Sequence, residues 1–219
     1  MNVGIFGGTF DPPHIGHLIV AQDAALALGL DRILFIPAAV PPHKQHVDLS
    51  PPGVRARMLE LAIREDPRFG MDRLEIEREG ASYTVQTLRE LAERESDTRW
   101  TLLMGADQYV DFESWRDPAE IRSLARLAVM TRGGRHGGAA DRAAAERIGV
   151  SDRELHLPAI VELPHGDIRV EVTRIDISAT SVRRRVAAGL PIRYLVPAAV
   201  EEFIFERKLY VRNGTPVMG

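Results

Sequence analysis

The chain has 219 residues, 45% of them apolar and 27% charged, the balance of an ordinary globular protein able to bury a sizeable core. Its net charge of −3 supplies no global field for nucleic acid or anionic lipid, so any polyanion it binds must be caught by a local site. The absence of cysteine excludes disulfides, thiolate nucleophiles, iron–sulfur clusters and cysteine-based zinc sites.

In chain order, residues 2–6 predict a strand and 15–28 a helix, in which Leu18, Ala21, Ala25 and Leu28 share one face. A strand over 32–37, a helix over 54–65 and a strand over 74–77 follow. Next come a helix over 84–94, a strand over 100–104, a helix over 118–124, a strand over 127–131 and a helix over 139–148. A last strand over 168–173 precedes helices near 178–188 and 197–206. This alternation predicts an α/β fold, a mostly parallel sheet covered on both faces, with a helical C-terminal part. Residues 37–52 hold five prolines, two histidines and Lys44, an irregular loop, and Gly133 to Gly138 have the composition of a connector. No repeat or composition break divides residues 1–219, which read as a single domain. The N-terminus lacks the basic and apolar regions of a signal peptide, and no run approaches the ~18 apolar residues of a membrane span, so a cytoplasmic protein is expected.

The first strand-to-helix turn carries the densest chemistry, in Gly7-Gly8-Thr9-Phe10-Asp11-Pro12-Pro13-His14-Ile15-Gly16-His17. In an open parallel sheet, ligands bind beyond the carboxyl ends of the strands, and the first such turn is a favoured place. The glycines permit close approach by a ligand, and helix-terminal amides favour an anion. Two histidines three residues apart can address one object. Neither a P-loop nor the Gly-x-Gly-x-x-Gly fingerprint is present. Zinc would need further protein ligands, and none stands nearby in an obvious pattern, so no metal site is expected.

This string resembles the signature of the nucleotidylyltransferase superfamily related to class I aminoacyl-tRNA synthetases. The resemblance implies a doubly wound, Rossmann-like nucleotidyltransferase fold in which His14 and His17 contact ATP phosphates, with Gly8, Thr9, Phe10 and Gly16 beside them. Near the C-terminus, Ile177-Ser178-Ala179-Thr180-Ser181-Val182-Arg183 opens a helix that Ser178 can cap, and Arg183 can reach phosphate oxygens. Taken alone, it equally describes a capped surface helix. Beside the first motif it resembles the superfamily's Ile-Ser-Ser-Thr-x-x-Arg element, with Ala179 in place of the second Ser, and implies ATP contacts from Ile177, Ser178, Thr180 and Arg183.

Pro41-Pro42-His43-Lys44, Ser82-Tyr83-Thr84 and Gly105-Ala106-Asp107 followed by Trp115 occur in the order found in bacterial nicotinate-mononucleotide adenylyltransferases, and the resemblance runs from Asn2 to about Tyr210. Carried over, Thr84 and its amides would receive a nicotinate carboxylate, Trp115 would stack on the pyridine, Gly105 and Asp107 would hold ribose, and Lys44 phosphate. Arg132 would stay near the nucleotide, although Gly133 departs from the family's Arg-Pro-Gly. The implied reaction joins ATP and nicotinate mononucleotide to give nicotinate adenine dinucleotide and pyrophosphate, a step of NAD biosynthesis, with His14, His17, Lys44 and Arg183 as the catalytic set. Magnesium (Mg2+) would be held mainly by substrate phosphates and water. No nucleic-acid or membrane partner is expected. A homo-oligomer is compatible with the sequence, and no motif addresses it. The rivals are a superfamily member acting on phosphopantetheine or an alcohol phosphate, a non-catalytic nucleotide sensor, and an interaction module. The retained His14, His17 and Arg183 favour an enzyme.

Overall fold

A computed structural model of the chain describes residues 1–39, 49–78, 80–132 and 160–211. The predicted helix over 139–148, Lys44 and the glycine-rich connector lie outside these residues.

The described residues contain one seven-stranded sheet in the order β3-β2-β1-β4-β5-β7-β6. Its strands are β1 (Asn2–Gly8), β2 (Arg32–Pro37), β3 (Phe69–Met71), β4 (Arg99–Gly105), β5 (Arg126–Arg132), β6 (Ile160–Glu162) and β7 (Ile168–Val172). Every pairing is parallel except β6 with β7. Because both faces are covered, the central strands are apolar along nearly their whole length. Successive residues alternate between two cores. Phe6, Phe35, Leu103 and Ala128 join one cluster, while Ile5, Leu34, Leu102 and Leu127 join the other.

The first cluster is completed by α1 (Ile15–Leu28), α2 (Pro52–Ile63), α7 (Ala179–Ala187) and α8 (Ala198–Glu206). The second is covered by α3 (Leu74–Glu77), α4 (Thr84–Arg94) and α6 (Pro118–Leu124). The short α5 (Ala106–Val110) follows β4 directly. The fold is therefore α/β and doubly wound, as the alternation predicts. Chain direction across the sheet reverses around β1, which lies between β2 and β4, so a crevice opens at the carboxyl ends of β1 and β4.

One predicted strand is corrected. Residues 74–77 form a helical turn, because Asp72 Oδ1 accepts the Leu74 N–H at 2.8 Å and the Arg73 carbonyl accepts from Ile76 and Glu77. The edge position belongs to Phe69–Met71, which pairs with Ile33 to Phe35.

Candidate active site

β1 ends in Gly7-Gly8 and the chain turns sharply into α1. Phe10 adopts φ 49°, a left-handed conformation unusual for a bulky residue, and its ring is held against Phe6, Phe35 and His17. That ring lies over Gly8, where an added Cβ would sit 2.8 Å from it. His14 caps α1 with extended backbone angles, so it stands just outside the helix that carries His17. The imidazoles nevertheless meet, stacked with centroids 3.7 Å apart. Gly16 is required between them, since a Cβ there would press within 3.1 Å of the His14 ring and 3.3 Å of Ile175. The His14 N–H donates to His17 Nδ1 at 3.1 Å, which makes Nε2 the proton-bearing nitrogen of a neutral His17 ring.

These groups line a cavity of about 630 Å³ whose far wall is the start of α7. Ser178 caps that helix, as its sequence predicts. Its Oγ accepts from the Ser181 N–H at 3.1 Å, and Ser181 Oγ accepts the Ser178 N–H at 3.2 Å. Arg183 bridges the two halves of the site. Its Nη1 donates to the Asp11 carbonyl at 2.7 Å and its Nη2 to Thr180 Oγ1 at 3.4 Å. Gly105, Asp107 and Gln108 close the cavity from the end of β4. Asp107 is exposed, and the bare α-carbon of Gly105 makes room for its carboxylate.

A second cavity, of about 370 Å³, shares Gly7, Gly8, Thr9 and Gln108 with the first. It is lined by Ser82, Tyr83 and Thr84 at the start of α4, and by Trp115 and Arg116. The first amides of α4 have no intrahelical acceptor and present the positive end of the helix dipole. Arg116 lies 5.0 Å over the Tyr83 ring. Trp115 is half-buried against Phe112, at 5.5 Å between centroids. Ser82 is not a helix cap. Its hydroxyl accepts the Ala39 N–H at 3.2 Å and so ties α4 to the chain leaving β2. Arg132 ends β5, the strand beside β4.

Three residues without an assigned role in the sequence underlie this arrangement. Arg55 in α2 is wholly buried, and its guanidinium donates to the carbonyls of Ser50 at 3.0 Å, Thr9 at 2.8 Å and Ala39 at 2.9 Å. Asp11, 1% exposed, accepts the Ser50 N–H at 3.1 Å and the Tyr210 hydroxyl. Burial lowers the Arg55 pKa against the opposing effect of Asp11, and burial beside Asp11 raises that of Tyr210. A single Arg on an amphipathic helix reads as surface, and only the pattern Asp11…Arg55…Tyr210 of opposite and polar groups could have hinted at a buried cluster.

The sequence profile of the cytidylyltransferase-like family matches residues 5–185. Relatives described as probable nicotinate-nucleotide adenylyltransferases come from Rubrobacter xylanophilus, 39% identical over all of this chain and 96% of the relative, and Thermus thermophilus, 38% identical over 96% of this chain and all of the relative. That of Herpetosiphon aurantiacus is 37% identical, over 95% of this chain and 98% of its own length. Among solved structures, the Plasmodium falciparum nicotinic acid mononucleotide adenylyltransferase complexed with NaAD superposes with a TM-score of 0.70 at 16% identity, covering 95% of this chain and 97% of that one. At that identity the superposition speaks for the fold. Profile and full-length relatives together place this chain in the cytidylyltransferase-like family, among its nicotinate-nucleotide adenylyltransferases.

Proposed function

We propose that the protein transfers the adenylyl group of ATP to nicotinate mononucleotide, releasing pyrophosphate and forming nicotinate adenine dinucleotide for NAD biosynthesis. The observation that carries this reading is the pair of cavities meeting at Gly7-Gly8-Thr9, one lined by phosphate-type donors and the other by an aromatic ring and a helix N-terminus. Two ligands seated there would meet at the end of β1, where a phosphate oxygen of one can face the α-phosphorus of the other.

In this reading a mononucleotide phosphate oxygen attacks the α-phosphorus as the bond to the β-phosphate oxygen breaks. The second pKa of a phosphate monoester is about 6, so the nucleophile is already largely ionised and needs no general base. The protein's share is alignment and charge stabilisation. His17 Nε2–H and the His14 ring would donate to the transferring and bridging oxygens, beside the amides of Gly8, Thr9 and Phe10. Arg183, anchored through Asp11, would hold the outer phosphates with Ile177, Ser178 and Thr180 at the helix start. The Ser178 hydroxyl is engaged in its cap, so its contribution would be a backbone one. Thr84 and the first amides of α4 would take the nicotinate carboxylate, Trp115 the pyridine face, and Asp107 the ribose; Lys44 and Arg132 would add phosphate contacts.

The donor set of the larger cavity suits anions, and among the described residues no three His, Asp or Glu side chains converge on an ion. Magnesium would therefore be carried by the substrates' phosphates, where it would neutralise charge. No helix among the described residues is long and apolar enough to cross a membrane. The test is turnover with ATP, magnesium and nicotinate mononucleotide, read as pyrophosphate release and dinucleotide formation. Turnover with phosphopantetheine and none with nicotinate mononucleotide would overturn the assignment.

A further inference from the structure

The two substrate cavities have Gly7, Gly8 and Thr9 at the end of β1 in common, and across from them Gln108 in α5. The glycines bring no side chain, so among the described residues the side chains at this junction are those of Thr9 and Gln108.

Gln108 is exposed, yet one end of its amide is fixed. Its Oε1 accepts the Gly105 N–H at 3.0 Å, a bond that closes the first turn of α5. An N–H is met by the oxygen of a side-chain amide, so the NH2 group occupies the other branch. Among the described residues that nitrogen makes no hydrogen bond. It carries two donors, and two cavities end at it.

The cap does not explain the choice of amide. A capping acceptor at this position of a helix is supplied equally well by Glu. Gln differs in offering donors and in bringing no negative charge to a place where two polyanions converge. Phosphates brought into contact repel, and a preorganised donor shared between them offsets part of that repulsion.

We propose that Gln108 contacts both substrates of the adenylyl transfer, its Nε2 donating one hydrogen to the acceptor phosphate and the other to the α-phosphate of ATP. The inference rests on the function proposed above. The amide keeps both hydrogens throughout, and its share is to set the separation at which the attacking oxygen meets phosphorus. After transfer the same two donors hold the phosphate bridge of the dinucleotide, the one ligand that spans both cavities.

The experiment is equilibrium dialysis of the full chain against nicotinate adenine dinucleotide and, separately, nicotinate riboside. The riboside lacks the phosphate and so enters the second cavity without reaching the junction. Gln108→Glu keeps the acceptor for Gly105 and removes the donors, whereas Gln108→Ala removes both; an unchanged Tm verifies the fold of the Glu variant. Both substitutions should weaken dinucleotide binding about tenfold or more, the scale of one hydrogen bond to a charged group, and leave riboside binding unchanged. Dinucleotide binding equal to wild type in both variants would overturn the proposal. So would riboside binding weakened as much as that of the dinucleotide, which would make Gln108 a brace for α5 acting through Asp107. A wild-type protein that binds no dinucleotide would remove the proposed function and this contact together, a result distinct from wild-type binding that the variants share.

Discussion

Replacing Arg55 gives the sharpest test of how the loops of the site are held. Its guanidinium reaches three carbonyls from three separate stretches of chain, at Thr9, Ala39 and Ser50, with nothing of it open to solvent. Arg55→Met fills much of the volume and strands all three acceptors, and it also removes a cation whose charge Asp11 feels. Hydrogen bonds to a charged donor each contribute about 1.5–3 kcal/mol, against the cost of burying the guanidinium. Removing one partner from a buried charged network costs about 3–5 kcal/mol, which is the loss expected here. At about 2–4 °C per kcal/mol for a chain of this size, Tm should fall by about 6–20 °C. Arg55→Lys keeps the charge, but one ammonium cannot span the three directions, so about half of the loss should remain. Urea unfolding followed by tryptophan fluorescence measures both variants. A Met variant within about 1 kcal/mol of wild type would show that the cluster holds nothing the apolar packing does not already hold.

Three further outcomes follow from the site and its surroundings. His17→Ala should lower kcat roughly a hundredfold, the scale of one lost transition-state donor, and unchanged kcat in the folded variant would make the ring structural. Arg116 lines the same cavity as Thr84 and adds a cation to the α4 end where the carboxylate is proposed to sit, so Arg116→Ala should raise KM for nicotinate mononucleotide about tenfold and leave that for the uncharged nicotinamide analogue alone; equal effects on both would show that Arg116 does not face the carboxylate. Burial, and then donation to Asp167, push the Tyr109 pKa up from 10.0 to about 12. Its folded pKa is raised, so the stability it contributes is intact below pH 10 and lost as pH climbs towards 12. Urea unfolding between pH 9 and pH 11.5 should therefore show a shallower alkaline decline in Tyr109→Phe than in wild type, and identical declines would refute the assignment.

Long apolar periods were legible from sequence because burial on both faces leaves no other reading. The helices Ile15–Leu28, Thr84–Arg94 and Pro118–Leu124 and the strand Arg32–Pro37 fall at the predicted residues. Leu74–Glu77 misled because four residues of alternating Leu, Glu, Ile and Glu satisfy a period of two, while the deciding interaction came from Asp72 outside the window. The antiparallel Ile160–Glu162 escaped notice because it is short and exposed. Around the candidate site, the His14-Ile15-Gly16-His17 and Ser178 to Arg183 segments announced themselves as strings, and the fold sets them on one cavity. Asp11, Arg55 and Tyr210 could not be read in this way, since their significance lies in a contact across 199 positions of chain.

The shared wall of Gly7, Gly8 and Thr9 has a pharmacological consequence. A compound holding one cavity brings any tethered second fragment to the mouth of the other at a millimolar effective concentration when the linker is short. Two weak fragments, one acidic and planar for the α4 end and one polyanionic for the histidine end, would gain affinity from the joint alone. The bare glycine backbone between the cavities leaves space for a linker, and a side chain introduced at Gly7, which meets no atom within 4 Å, would obstruct that passage without disturbing the core.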